Sequence, residues 1–256
     1  VCHKCRKLKL PTTYWCCVNC PGNPGASQLH VAYHKEEKRQ RKRLEDGGVT
    51  QQQDREAAEK AARFAAETGD EYSELLAEGA LYMSKQDWRR AGRAYREAIA
   101  LKPDQPVAYH NLGNVLADSG HYVEATQRYL EAKERHPVGS EYWAQATANA
   151  FEVMRQDGCS EVAKPEWWND EGLKELSARV MKAAPNSAAA NNMRAEVLSG
   201  GDGAWEVGPR SAAELKEAAM HYDRAAALSD APAVKASLAH AAGLCRSMCR
   251  GQGRQG

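Results

Sequence analysis

Six residues near the N-terminus have the types and spacing to hold a metal ion: Cys2-x2-Cys5-x10-Cys16-x3-Cys20-x9-His30-x3-His34. Zinc takes four thiolate or imidazole ligands at the corners of a tetrahedron, and a Cys-x2-Cys turn presents two sulfurs together. Histidines at i and i+4 share one face of a helix and present two imidazoles in the same way. Five of the eight cysteines fall within residues 2–20. That crowding points to metal, because a disulfide framework spreads its cysteines over a secreted domain. Two partitions of the ligands stand open. Cys2, Cys5, His30 and His34 form one site, or Cys2, Cys5, Cys16 and Cys20 surround the ion and leave the histidines free. Either way the expected cofactor is zinc, one ion per chain, in a structural role, since so short a segment cannot bury enough apolar area alone, or as part of a second docking site. Cys17 is read as a spare thiol.

Tyr14, Trp15, Cys16, Cys20, His30 and His34 resemble the second part of a MYND-type finger, in which Tyr-x-Cys-x3-Cys leads into a short helix bearing the last two ligands. His34 stands where that family usually has Cys, and Ser27 where it often has Trp. The family's eight ligands pair alternately. The resemblance therefore implies that Cys2, Cys5, His30 and His34 share one ion, and that Cys16 and Cys20 belong to a second site whose other pair precedes Val1 or has been lost. Residues 1–36 are taken as this finger, expected to be incomplete, with the chain beginning inside the motif.

Composition indicates what the rest of the chain builds. Ala, Glu, Arg and Lys dominate from about residue 50, and only Phe64 and Phe151 represent phenylalanine. This is the composition of helices, so an all-α fold is expected. Lys plus Arg (35) nearly balances Asp plus Glu (34), so no global field selects a nucleic acid or a membrane. No stretch approaches the ~20 apolar residues of a membrane span, and no secretory leader is visible. An intracellular protein, cytoplasmic or nuclear, is the expectation. The basic run Lys35–Arg43 is read as a solvated helix within a linker over 37–69. The competing reading is a nucleic-acid patch on Lys38–Arg43, which Glu36, Glu37, Glu45 and Asp46 weaken.

The positioning elements repeat every 34 residues. Gly79, Tyr82, Trp88, Ala91, Tyr95, Ala98 and Pro103 recur as Gly113, Leu116, Tyr122, Ala125, Tyr129, Ala132 and Pro137. Small residues allow two antiparallel helices to approach, aromatics seal the flanks, and proline stops the second helix. These residues resemble the tetratricopeptide repeat (TPR), with glycine expected to face Ala91 in the first copy and Ala125 in the second. Regular repeats are placed at 72–105 and 106–139. Less regular ones follow at about 140–185, its second helix displaced by an insertion over 157–169, and at about 186–232, broken by a Gly-rich segment over 199–210. A capping helix over 233–248 and a tail at 251–256 complete a TPR-like superhelix spanning 70–250.

What the resemblance implies is a non-catalytic scaffold that docks a protein or peptide on the concave face formed by first helices. By register that face presents Leu76, Ala80 and Met83, then His110, Asn111, Asn114 and Ala117, then Ala144, Ala148 and Phe151. The competing reading is that some of these side chains pack against neighbouring helices. A carboxylate clamp of the kind that grips chaperone C-termini requires Lys and Asn, then Asn, then Lys and Arg. The matching positions hold Leu76, Ala80, Asn111, Glu141 and Gln145, so only Asn111 agrees. No phosphate loop, nucleophile elbow or paired-carboxylate helix appears, and nothing resembles the catalytic domain of the SET-class methyltransferases that combine this finger with helical repeats. Neither an enzyme nor a small-molecule substrate is expected.

Overall fold

The computed structural model describes residues 55–56, 59–60, 69–160, 162–201 and 204–252. Two compact units divide the chain, Val1–Lys60 and Ala61–Gly256. All elements below lie in the second. The proposed zinc ligands Cys2, Cys5, Cys16, Cys20, His30 and His34, and the basic run Lys35–Arg43, lie outside the described residues.

Among the described residues there are nine α-helices and no strand: α1 (Glu71–Ser84), α2 (Trp88–Leu101), α3 (Pro106–Asp118), α4 (Tyr122–Arg135), α5 (Glu141–Met154), α6 (Asp170–Ala183), α7 (Ala188–Ser199), α8 (Ala212–Leu228) and α9 (Pro232–Gln252). A 3-10 turn, Asp157–Cys159, follows α5. Helix starts are marked by side chains that accept from the exposed first-turn amides. Asp70, Asp87, Ser140, Asn169 and Ser187 do so, and Ser211 with Glu214 forms a reciprocal capping box. Pro106 opens α3, where its missing N–H costs nothing. Gly200 closes α7 with φ 94°, a backbone state that side chains with a Cβ resist.

Residues 72–139 form two stacked hairpins, α1/α2 and α3/α4, as the 34-residue period requires. Ala91, Ala98, Ala125 and Ala132 are fully buried. One packing detail differs from expectation: the group that needs each glycine's empty space is the tyrosine four residues beyond the alanine. A Cβ on Gly79 would sit 2.5 Å from Tyr95 Cε1, and one on Gly113 2.7 Å from Tyr129 Cε1. The rings reach the backbone of the first helix because no side chain projects from it there. In the fourth repeat Ala195 and Leu198 pack with Ala218, Tyr222 and α9 residues Ala242 and Cys245.

The third repeat is rebuilt by the two insertions. Trp168, from the segment before α6, and Trp205, from the segment before α8, converge on Phe151, and Trp167 packs against Trp168. Phe151–Trp168 centroids are 5.6 Å apart, Phe151–Trp205 5.8 Å and Trp168–Trp205 6.1 Å. Trp168 Nε1 donates to the Ala204 carbonyl at 3.1 Å, which ties one insertion to the other. Arg210, 5% exposed, donates to the Asp170 carboxylate through both terminal nitrogens and to the Val197 carbonyl at 2.9 Å. Arg210 beside it holds the Asp170 carboxyl far below the usual carboxylate range.

Candidate functional site

The residues read as an inner face in the first two repeats lie on α1 and α3. On α1, Leu76, Ala80 and Met83 are partly exposed, and on α3 so are His110, Asn111, Asn114 and Ala117. Leu76, Met83 and Ala117 also lean on the core, so they are half floor and half support. Tyr129 Oη donates to Asn114 Oδ1 at 2.8 Å. Burial pushes the Tyr129 hydroxyl well above its ordinary pKa, so it stays a donor at any working pH. Asn114 makes no other hydrogen bond to a described residue, so its amide NH2 is available as a donor. Asn111, one turn earlier, makes no hydrogen bond to any described residue, so its carboxamide has both functions available.

His110 completes this set. Its Nε2 lies 3.4 Å from Asn149 Nδ2, and its ring meets Tyr129 edge-on at 5.5 Å. Burial, with a smaller contribution from His136, depresses its pKa to about 4. The ring is therefore neutral at physiological pH and can accept from the Asn149 amide. Together the face offers aliphatic contact beside two carboxamides and an uncharged imidazole. That is chemistry suited to a peptide backbone, whose amide groups match carboxamides donor for acceptor, and unsuited to gripping a free carboxylate.

Ala144, Ala148 and Phe151 correct the expectation for the third repeat. They are 0%, 2% and 0% exposed and belong to a core with Leu173, Leu176, Met193 and Trp205. The reason is the pair of insertions: Trp168 and Trp205 cover Phe151, so this stretch of the face is occupied by the chain's own aromatic side chains. Of the residues read as a docking surface, those on α1 and α3 alone keep partial exposure. The repeat register gives Trp167, Trp168 and Trp205 no place, although indole groups inside inserted segments are a signal that those segments fold back onto a core.

Among the described residues no group of three or more His, Cys, Asp and Glu side chains is placed to hold a metal. Cys245 and Cys249 lie one turn apart on α9. Cys245 is buried with its thiol pKa pushed up by desolvation, and Cys249 Sγ sits 3.5 Å from the Ala212 carbonyl, as packing residues would. No described helix is long and apolar enough to cross a membrane.

Comparison with known proteins agrees with this geometry. A family model described as TPR repeat matches residues 79–120, the span from Gly79 through α3. No curated protein matches the chain. A solved structure from the functional characterisation of Pseudomonas aeruginosa PilF is 19% identical, with a TM-score of 0.50. The match covers 82% of this chain and 91% of that one. At that identity the likeness is one of fold alone, and the fold is a TPR-like stack of α-helical hairpins.

Proposed function

We propose that the chain is a non-catalytic scaffold that docks an extended peptide segment of a partner protein on the face formed by α1 and α3. The observation that carries this is the pair of partly exposed carboxamides Asn111 and Asn114, the second held by Tyr129, beside Leu76, Ala80 and Met83. Carboxamides hydrogen-bond main chain regardless of sequence, and the aliphatic patch selects for an apolar side chain alongside. Each lost hydrogen bond costs about 1 kcal/mol, so Asn111→Ala with Asn114→Ala should weaken binding roughly tenfold or more. Peptides selected from a random library against the full chain would be titrated against both proteins. Undiminished affinity in the double variant, with helical circular dichroism unchanged, would remove the groove from consideration.

For the N-terminal segment we propose one zinc ion held by Cys2, Cys5, His30 and His34, on the spacing of these residues and the finger it resembles. Elemental analysis of the purified chain should give about one zinc per molecule. His30→Ala should abolish the metal and Cys16→Ser should leave it. The opposite pattern would assign the ion to the four cysteines, and a metal-free wild type would end the proposal.

A further inference from the structure

A second opening lies away from the carboxamide face, where the α1–α2 turn, α2 and the end of α3 meet. It is a cavity of about 840 Å³. Trp88, Val115 and Leu116 supply its apolar wall, and Gly92 leaves the floor open. A Cβ at Gly92 would already lie 3.2 Å from Arg96 Nη1 and 3.6 Å from Val115 Cγ1.

The repeat provides an internal comparison. Thirty-four residues further on, Trp88 and Gly92 are matched by Tyr122 and Thr126, and Leu116 by Ala150. That second niche is filled by the chain itself. The 3-10 turn Asp157–Cys159 enters it, with Cys159 fully buried, its Sγ 3.7 Å from Thr126 Oγ1, in one core cluster with Ala150 and with Tyr122 packed alongside. The niche between successive repeats is thus shaped to receive a short peptide segment. Between the first and second repeats, no described segment occupies it.

Charge tells the two niches apart. The open one is bordered by Lys85, Arg89 and Arg96, whose counterparts are Ser119, Val123 and Leu130. Their neighbours on α2 are compensated: Arg90 pairs with Asp87 at 3.6 Å and Arg93 with Glu97 at 2.8 Å. Among the described residues, Lys85, Arg89 and Arg96 have no carboxylate within ion-pair reach. Asp87 is engaged with Arg90, so Glu124 is the one uncompensated acid on the walls. Positive charge is in local excess on a chain whose formal net charge is only +1.

We propose that this niche is a second docking site, for an acidic peptide of a partner that inserts an apolar side chain against Trp88 and lays carboxylates on Arg89 and Arg96. Guanidinium forks match carboxylates in two-point geometry, and the inserted apolar side chain takes over Gly92 the place that Cys159 fills over Thr126 one repeat later.

The test uses the full chain and a fluorescein-labelled peptide of alternating glutamate and leucine, read by fluorescence anisotropy. Binding should weaken as salt rises from about 50 to about 300 mM, because the paired charges lie near the surface. Arg89→Glu with Arg96→Glu should reduce affinity at least about tenfold. Arg93→Glu, on the compensated face, should leave it unchanged, as should Asn111→Ala with Asn114→Ala, which separates this niche from the carboxamide groove. Absence of binding, or equal binding by the charge-reversed protein, overturns the proposal. Displacement by a single-stranded oligonucleotide at equal charge concentration would also overturn it, by showing a polyanion site that ignores the peptide.

Discussion

Gly113→Leu should lower the stability of the second hairpin by about 3 kcal/mol or more, at the upper end of what overpacking costs. A single Cβ at this position already falls 2.7 Å from Tyr129 Cε1, and the ring cannot withdraw without giving up its bond to Asn114 and its place over α3. Four added carbons must either evict Tyr129 or part α3 from α4. At roughly 2–4 °C per kcal/mol for a domain of this size, the melting midpoint should drop by about 6–12 °C. Gly243→Ala is the control, because a Cβ there meets nothing within 4 Å. Freed of any clash, alanine's better helix propensity should raise stability by about 0.5–1 kcal/mol. Chemical denaturation of the two variants should therefore shift in opposite directions. A neutral Gly113→Leu would mean that the 34-residue register has been misaligned.

Phe151→Ala should cost about 3–5 kcal/mol and leave peptide binding at α1 and α3 intact. Phe151 is fully buried, and both Trp168 and Trp205 rest on it. Truncation opens a cavity that these rings cannot fill without breaking the Trp168 bond to Ala204 and disturbing the segment that carries Arg210. The phenotype separates two roles for one residue. A side chain lining a groove loses affinity and keeps stability when cut back, whereas a core side chain does the reverse. Intrinsic tryptophan fluorescence should shift to the red as water reaches the indoles. An unchanged unfolding midpoint, accompanied by lost binding, would return Phe151 to the ligand face.

The hairpins over 72–139 are readable from residue types because each contact that defines them recurs 34 positions later, so chance similarity is hard to sustain. What glycine makes room for was less readable: the period pairs it with Ala91 or Ala125, while the ring that occupies the space belongs to Tyr95 or Tyr129, and only coordinates rank two neighbours on one helix. The exposed face was legible for α1 and α3 and not for α5. Register assigns Ala144, Ala148 and Phe151 outward on the premise that successive repeats stack identically. The insertions break that premise, since their path is set by where three indoles can be buried and has no local signature. The open niche was invisible for a related reason. An opening is a property of what fails to fill it, and Gly92 becomes informative only beside Thr126 and the turn that packs on it.

Trp167 and Trp168 rest against both of the larger core clusters, and this has a consequence for how the array comes apart. In a simple solenoid each module touches its neighbours alone, so melting can start at a terminus and travel inward one step at a time. Here a fraying front meets a keystone belonging to both halves, and neither half can peel away while the other keeps its hold on the same indoles. The two should lose their amide protection together, as one cooperative foldon spanning the middle of the chain.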